Sequence, residues 1–294
     1  MKIIKNQIFY IVPIIILAFL YYIFGEFSFY LLPKDKIVTI SIFFPEGIAL
    51  AFAIIYGYRV VLGIFIGQLI LSLLNQVDLL PSFEIAVINS LEAILAIYLF
   101  EEFHISKKLE TLKDFAKLVG LIVFILQPFS ATISNIALIV YSQTSENTLI
   151  FNIFCWWFGN LMAQILITPF ILIMYYKIKE IKILPFISYG IVYGIYMYML
   201  IIYLQVNNYY VLFLMSMLIL AFVSCVKDLI YGLFLNVVLS LIILYSIHIH
   251  SGIFVYSAII DNTVKYSIFI LLHITIVWIL NMKFKDKCVK LLEG

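Results

Sequence analysis

"SIFFPEGIALAF", residues 41–52, sets a proline, a glutamate and a glycine inside an oily run. What the carboxylate can do there depends on the medium around it. Hydrophobic residues make up 65% of the 294 and charged residues 12%, and the mean hydropathy is +1.16. Soluble domains carry about a quarter charged residues, so the medium for most of this chain is lipid. The net charge of +2 comes from short clusters between apolar runs, and no nucleic-acid partner is expected. Cys155, Cys225 and Cys288 are widely spaced, with no C-x-x-C pair. They read as plain small residues, not as a disulfide framework or zinc knuckle, and neither metal nor cofactor is implied.

A bilayer core of about 30 Å takes about 20 helical residues to cross. That ruler predicts an all-α, polytopic membrane bundle with ten spans, at 8–24, 37–56, 59–75, 81–100, 115–141, 150–176, 185–204, 209–226, 229–247 and 264–282. The dividers "YGYR" and "KD" are short enough that eight spans is the alternative count. Lys2 and Lys5 precede the first run as in a signal peptide, yet no small-residue cleavage site follows, so it reads as a retained span. Basic residues near span ends stay cytoplasmic. With both termini inside, all but Lys34, Lys36 and Lys265 of the 18 basic residues fall on that side. Nothing divides residues 1–294 into separate domains, and neither the loop at 101–114 nor the tail after Met282 is long enough to fold as a soluble domain.

Polar groups at membrane depth are costly and face the bundle interior or a cavity. Glu46 falls in the expected second span and Glu92 in the fourth, accompanied by Gln68, Asn89, Gln127, Asn135, Asn160, Gln164 and His273. Asn89 and Glu92 are three apart and share a helix face. Every Lys and Arg sits at a span end, so neither glutamate has a cation at its depth, and low dielectric favours the neutral acid. Two readings stay open: the carboxyls simply hydrogen-bond across helices, or they line a polar cavity that takes a proton, a cation or a small amine-bearing or hydroxylated ligand.

Pro45 removes a helix hydrogen bond, and Gly47 admits another backbone. "PEG" is therefore expected to be a helix opened within its span, with a carboxylate beside the break, as in transporter binding sites. "GIFIG" at 63–67 is a small-residue face for close packing within the bundle or contact with a second copy. "CWWFGN" at 155–160 places Trp156 and Trp157 for an interfacial belt or for stacking on a ligand. His248 and His250 read as loop residues, and no Ser–His or Cys–His nucleophile pair is visible at matching depths.

Three segments together resemble the first class of bacterial membrane-associated sensor (MASE) domains. "FFPEGIALAFAIIYGYRVVLGIFIGQLILSLLN" is similar to the family's opening signature, "INSLEAILAIYLFEE" to its Asn-x-x-Glu-Ala helix, and "WWFGNLMAQILITPFIL" to its Trp-x-Gly-Asp-hydrophobic-Pro span. The matching positions are Pro45, Gly47, Gly57, Arg59, Gly63, Gly67, Asn89, Glu92, Trp157, Gly159 and Pro169, within a family-like core at 35–177 followed by the spans at 185–282. Phe43 stands where the family commonly has tryptophan, Asn160 where it commonly has aspartate, and Glu46 where a small residue is usual. The resemblance implies a sensory input module in a bacterial cytoplasmic membrane, which passes its signal to a cytoplasmic output such as a diguanylate cyclase or histidine kinase.

This chain carries no such output, so the leading expectation is a non-enzymatic ligand-binding input that signals through a separate kinase or cyclase partner. Its unknown small ligand would sit among spans two, four, five and six, with Glu46, Asn89, Glu92, Asn135, Trp157, Asn160 and Gln164 as candidate contacts. The alternative is a transporter of a small solute or ion, coupled to protons.

Overall fold

Apolar runs that must satisfy every backbone amide internally form helices. The computed structural model describes residues 2–31, 42–142, 144–255 and 259–293, all helices and connecting turns with no strand among them, and side chains over 10–31, 42–142, 144–255 and 264–284. Eleven α-helices follow one another: α1 Lys2–Tyr30, α2 Phe44–Tyr56, α3 Val61–Leu74, α4 Leu79–Glu102, α5 Leu112–Leu121, α6 Gln127–Val140, α7 Leu149–Lys177, α8 Ile183–Tyr198, α9 Tyr209–Val226, α10 Leu229–His248 and α11 Ile259–Glu293. Among the described residues, nine helical stretches are long and apolar enough to cross a membrane. Their ends fall within a few residues of most of the expected spans.

The count differs from ten because the expected second and third spans form one such stretch, Phe44–Leu74. That stretch is not a single rod. A straight helix would hold residues 46 and 68 about 33 Å apart, yet Glu46 and Gln68 both hydrogen-bond the Tyr21 hydroxyl. The chain reverses at Gly57, whose φ of 72° favours glycine, and Arg59 in the following turn lies over the rings of Tyr56 and Tyr10 at 5.0 and 5.7 Å. Each arm is only about 20 Å long. Residues 37–41 of the expected second span lie outside the described residues.

The chain forms two compact units, Met1–Tyr30 with Ile37–Leu172, and Leu31–Lys36 with Ile173–Gly294. In the first, α3 lies against α1 along the small-residue face, which serves packing within this bundle. A Cβ at Gly63 would meet the Ile14 carbonyl at 2.7 Å, and one at Gly67 the Tyr21 Cβ at 2.6 Å. In the second unit α9 and α10 each pack on α11, and α8 packs on α10. There Phe186 stacks on Phe234 at 4.4 Å.

Between α5 and α6 the helix widens to a π turn at Ile122–Leu126, and Gln127 N–H donates to the Ile122 carbonyl. In that register the next amide, at residue 128, would bond the Val123 carbonyl, but Pro128 has no N–H. The Trp157 indole supplies the missing donor to Val123 O at 3.2 Å.

Candidate functional site

The start of α2 explains the glutamate. Pro45 occupies the first turn, where a missing N–H costs no hydrogen bond and the ring's fixed φ suits the helix. "PEG" is thus a helix beginning inside the bundle, not the mid-span opening expected from the sequence. The amides that a helix start leaves unpaired are all satisfied. Phe43 N–H donates to the Gly159 carbonyl at 3.2 Å, Phe44 N–H to Ser28 Oγ at 3.1 Å, and Glu46 N–H to the Phe43 carbonyl at 3.1 Å. Thr168 Oγ1 holds the Gly47 carbonyl at 2.9 Å. Gly47 does admit a neighbouring backbone: a Cβ there would fall on the Ala163 carbonyl, with Ile167 Cβ at 2.7 Å.

So placed, Glu46 enters a buried polar cluster. The Tyr21 hydroxyl donates to Glu46 Oε1 at 2.6 Å and lies 2.8 Å from Gln68 Oε1. Asn89 Nδ2 faces Tyr21 Oη and Gln68 Oε1 at 3.0 Å and Glu46 Oε1 at 3.2 Å. One phenolic proton and two amide protons therefore serve three oxygens, and this half of the cluster is satisfied. It is extended by Ser130 Oγ, which donates to Asn89 Oδ1 at 3.3 Å, and by Gln68 Nε2, which donates to Ser72 Oγ at 2.7 Å.

One turn along α4 the balance changes. Gln127 and Gln164 each aim their Nε2 at the same Glu92 oxygen, Oε1, at 2.7 and 2.8 Å. Glu92 Oε2, Gln127 Oε1 and Gln164 Oε1 are buried without a hydrogen-bond partner. Gln164 also lies against Glu46, which joins the two halves. The surplus here is acceptors packed without space beside them, so the donor this half can take without the helices moving is a proton on Glu92.

Of the expected contacts, Glu46, Asn89, Glu92 and Gln164 meet in this cluster. Asn135 does not join it and donates to the Ala131 carbonyl in its own helix at 2.8 Å. Trp157 is engaged at the π turn. Asn160 is buried beside the cluster and lines a cavity of about 190 Å³ with Trp156 and Gln68. Spans one and three contribute besides the expected spans two, four, five and six. Tyr21 was not foreseen, because one tyrosine among 21 carries no distinguishing signal.

A serine–histidine pair, not anticipated from the sequence, lies in the second unit. Ser216 Oγ is 2.7 Å from His273 Nε2, and His273 Nδ1 is 2.7 Å from the Phe269 carbonyl. A carbonyl only accepts, so Nδ1 carries the proton. Both residues are fully buried, a backbone oxygen stands where a triad has its carboxylate, and Phe213 and Phe269 pack on the imidazole at 4.6 and 4.5 Å. The pair ties α9 to α11.

A helical protein with nine apolar, membrane-length stretches among its described residues and carboxyls buried among them is a multi-pass membrane protein. The MASE1 family model matches residues 11–282, so this chain belongs to the MASE1 family of membrane-associated sensor domains. The match extends well beyond residues 35–177, where the sequence resemblance lies. No curated protein and no solved structure matches the chain.

Proposed function

We propose that the chain is a sensory input module of a bacterial cytoplasmic membrane whose state is set at the Glu46–Glu92 cluster and read by a separate kinase or diguanylate cyclase. The observation that carries this reading is the set of three buried, unpaired acceptors at Glu92, Gln127 and Gln164. Groups of this kind are expensive in a low-dielectric interior. A proton taken up there, or a small donor admitted by movement of the helices, changes hydrogen bonding shared among α1, α2, α3, α4, α6 and α7. One local event thus reaches every major helix of the first unit. Glu46 and Asn89 transmit it, and Gln164 couples the two carboxyls.

The test is a chimera with a diguanylate cyclase domain fused after α11, read as cellular cyclic di-GMP. Glu92→Gln, which retains one carbonyl acceptor for both glutamine amides, is expected to shift the output at least threefold with the protein level unchanged. Unaltered output in Glu92→Gln and in Glu46→Gln, together with proton or solute flux in liposomes containing the chain, would overturn the sensory reading in favour of a transporter.

The basic residues support a cytoplasmic location for both termini. Reporter fusions after Lys107 and after Lys182 are expected to read cytoplasmic and one at Asn207 external. A cytoplasmic signal at Asn207 rejects this topology.

A further inference from the structure

In the second unit, the link from α7 to α8 and the link from α9 to α10 meet around an open cavity of about 490 Å³. Four membrane-length stretches end or begin there, at Lys177, Ile183, Val226 and Leu229, so the cavity lies at the level of the lipid headgroups. Three lysines, Lys177, Lys182 and Lys227, and two acids, Glu180 and Asp228, line it. Their charges are not equally available. Asp228 Oδ2 accepts from Lys177 Nζ at 2.7 Å, and its Oδ1 accepts from the Leu229 amide at 2.6 Å, which joins the end of α7 to the start of α10. Lys182 and Lys227 have no ion pair among the described residues. Lys227 Nζ lies over the Tyr189 ring at 5.8 Å, and Tyr231 meets that ring edge to face at 5.7 Å. Lys182 is the N-cap of α8 and makes no side-chain capping bond, and a helix start favours a negative charge. The rest of the lining is apolar or aromatic. It includes Pro185, beside which α8 exposes Leu184, Ile187 and Ile191 at three- and four-residue spacing.

We propose that this cavity binds the headgroup of an anionic phospholipid, with Lys182 and Lys227 on its phosphodiester and the acyl chains along the exposed face of α8. Basic pockets between spans at a membrane surface take such headgroups. Size and setting favour the lipid over a free phosphate ion. The volume falls in the range of about 300–1,000 Å³ found for sites that hold whole small molecules, and an apolar path leads from the cavity along α8. Charge selects among lipids. Three lysines against two acids leave one net positive charge in the lining, which a phosphodiester with a neutral glycerol balances and a zwitterionic headgroup does not. Glu180 opposes the anion and weakens its binding. The site shares no residue with the Glu46–Glu92 cluster and stands independently of the sensory reading.

The experiment adds phosphatidylglycerol or phosphatidylethanolamine, with identical acyl chains, to the purified full-length chain in detergent at low salt and follows the melting temperature. Phosphatidylglycerol is expected to raise it in a saturable way, with an affinity roughly tenfold or more above that of phosphatidylethanolamine. Each of Lys182→Gln and Lys227→Gln is expected to weaken phosphatidylglycerol about fivefold, and Glu180→Gln to strengthen it. Lys113→Gln, an exposed position at the start of α5, is the control and is expected to bind as wild type does. Equal affinity for the two lipids, wild-type affinity in the double lysine variant, or an equal loss in Lys113→Gln overturns the assignment. Stabilisation by glycerol phosphate or inorganic phosphate that matches phosphatidylglycerol overturns it in favour of a soluble anion. The two-lipid comparison on the unmodified chain and the gain in Glu180→Gln decide the matter even if a lysine variant fails to fold.

Discussion

Glu92→Leu is expected to destabilise the protein by about 2–6 kcal/mol, at about 1–3 kcal/mol for each buried donor left without its acceptor. Both Gln127 Nε2 and Gln164 Nε2 end on Glu92 Oε1, and leucine removes that oxygen while it fills most of the same space. Glu92→Gln retains the oxygen, and its new amide protons face a region where Gln127 Oε1 and Gln164 Oε1 are unpaired. The amide variant is therefore expected to melt within about 1 kcal/mol of wild type or above it. Detergent melting of the two variants in parallel separates the contributions. A leucine variant that melts with wild type would mean that the two glutamines find other acceptors.

The second large effect is expected at Gly47. A side chain there meets the backbone of Ala163, not a flexible side-chain end, so relief requires α2 and α7 to move apart. The same movement strains the Thr168 bond to the Gly47 carbonyl and the Phe43 bond to Gly159. Gly47→Val is expected to cost about 3 kcal/mol or more and to lower the yield of folded protein. Gly120→Ala is the control, since a Cβ at Gly120 meets nothing within 4 Å and alanine is the better helix former. Equal melting of the two variants would show that the close approach of α2 to α7 is dispensable.

How much of this was legible in the sequence follows from the physics that each feature obeys. The helices were readable because lipid imposes one rule on every apolar run, and the predicted limits of α7, α9 and α10 fall within a residue of those observed. Asn89 and Glu92 were readable because polar residues three apart in an oily helix have one direction to face. The role of Pro45 was not, since proline marks either a break or a first turn, and the choice between them depends on whether Ser28 and Gly159 stand ready to take the amides of Phe44 and Phe43. Those partners are distant in the chain and carry no local signal. The assignment between Trp156 and Trp157 failed to emerge for a similar reason: adjacent indoles look alike until the π turn claims one of them.

That π turn leaves Pro128 and Trp157 dependent on each other although 29 positions separate them. With proline at 128, loss of the indole strands the Val123 carbonyl in an apolar surrounding. With an amide at 128, the backbone can close its own bond and the tryptophan is released from duty. The harm done by changing either position is therefore set by what occupies the other. Viable routes from one pair of residues to another are ordered, with some intermediates closed and others open, as with a lock whose two bolts must be drawn in sequence.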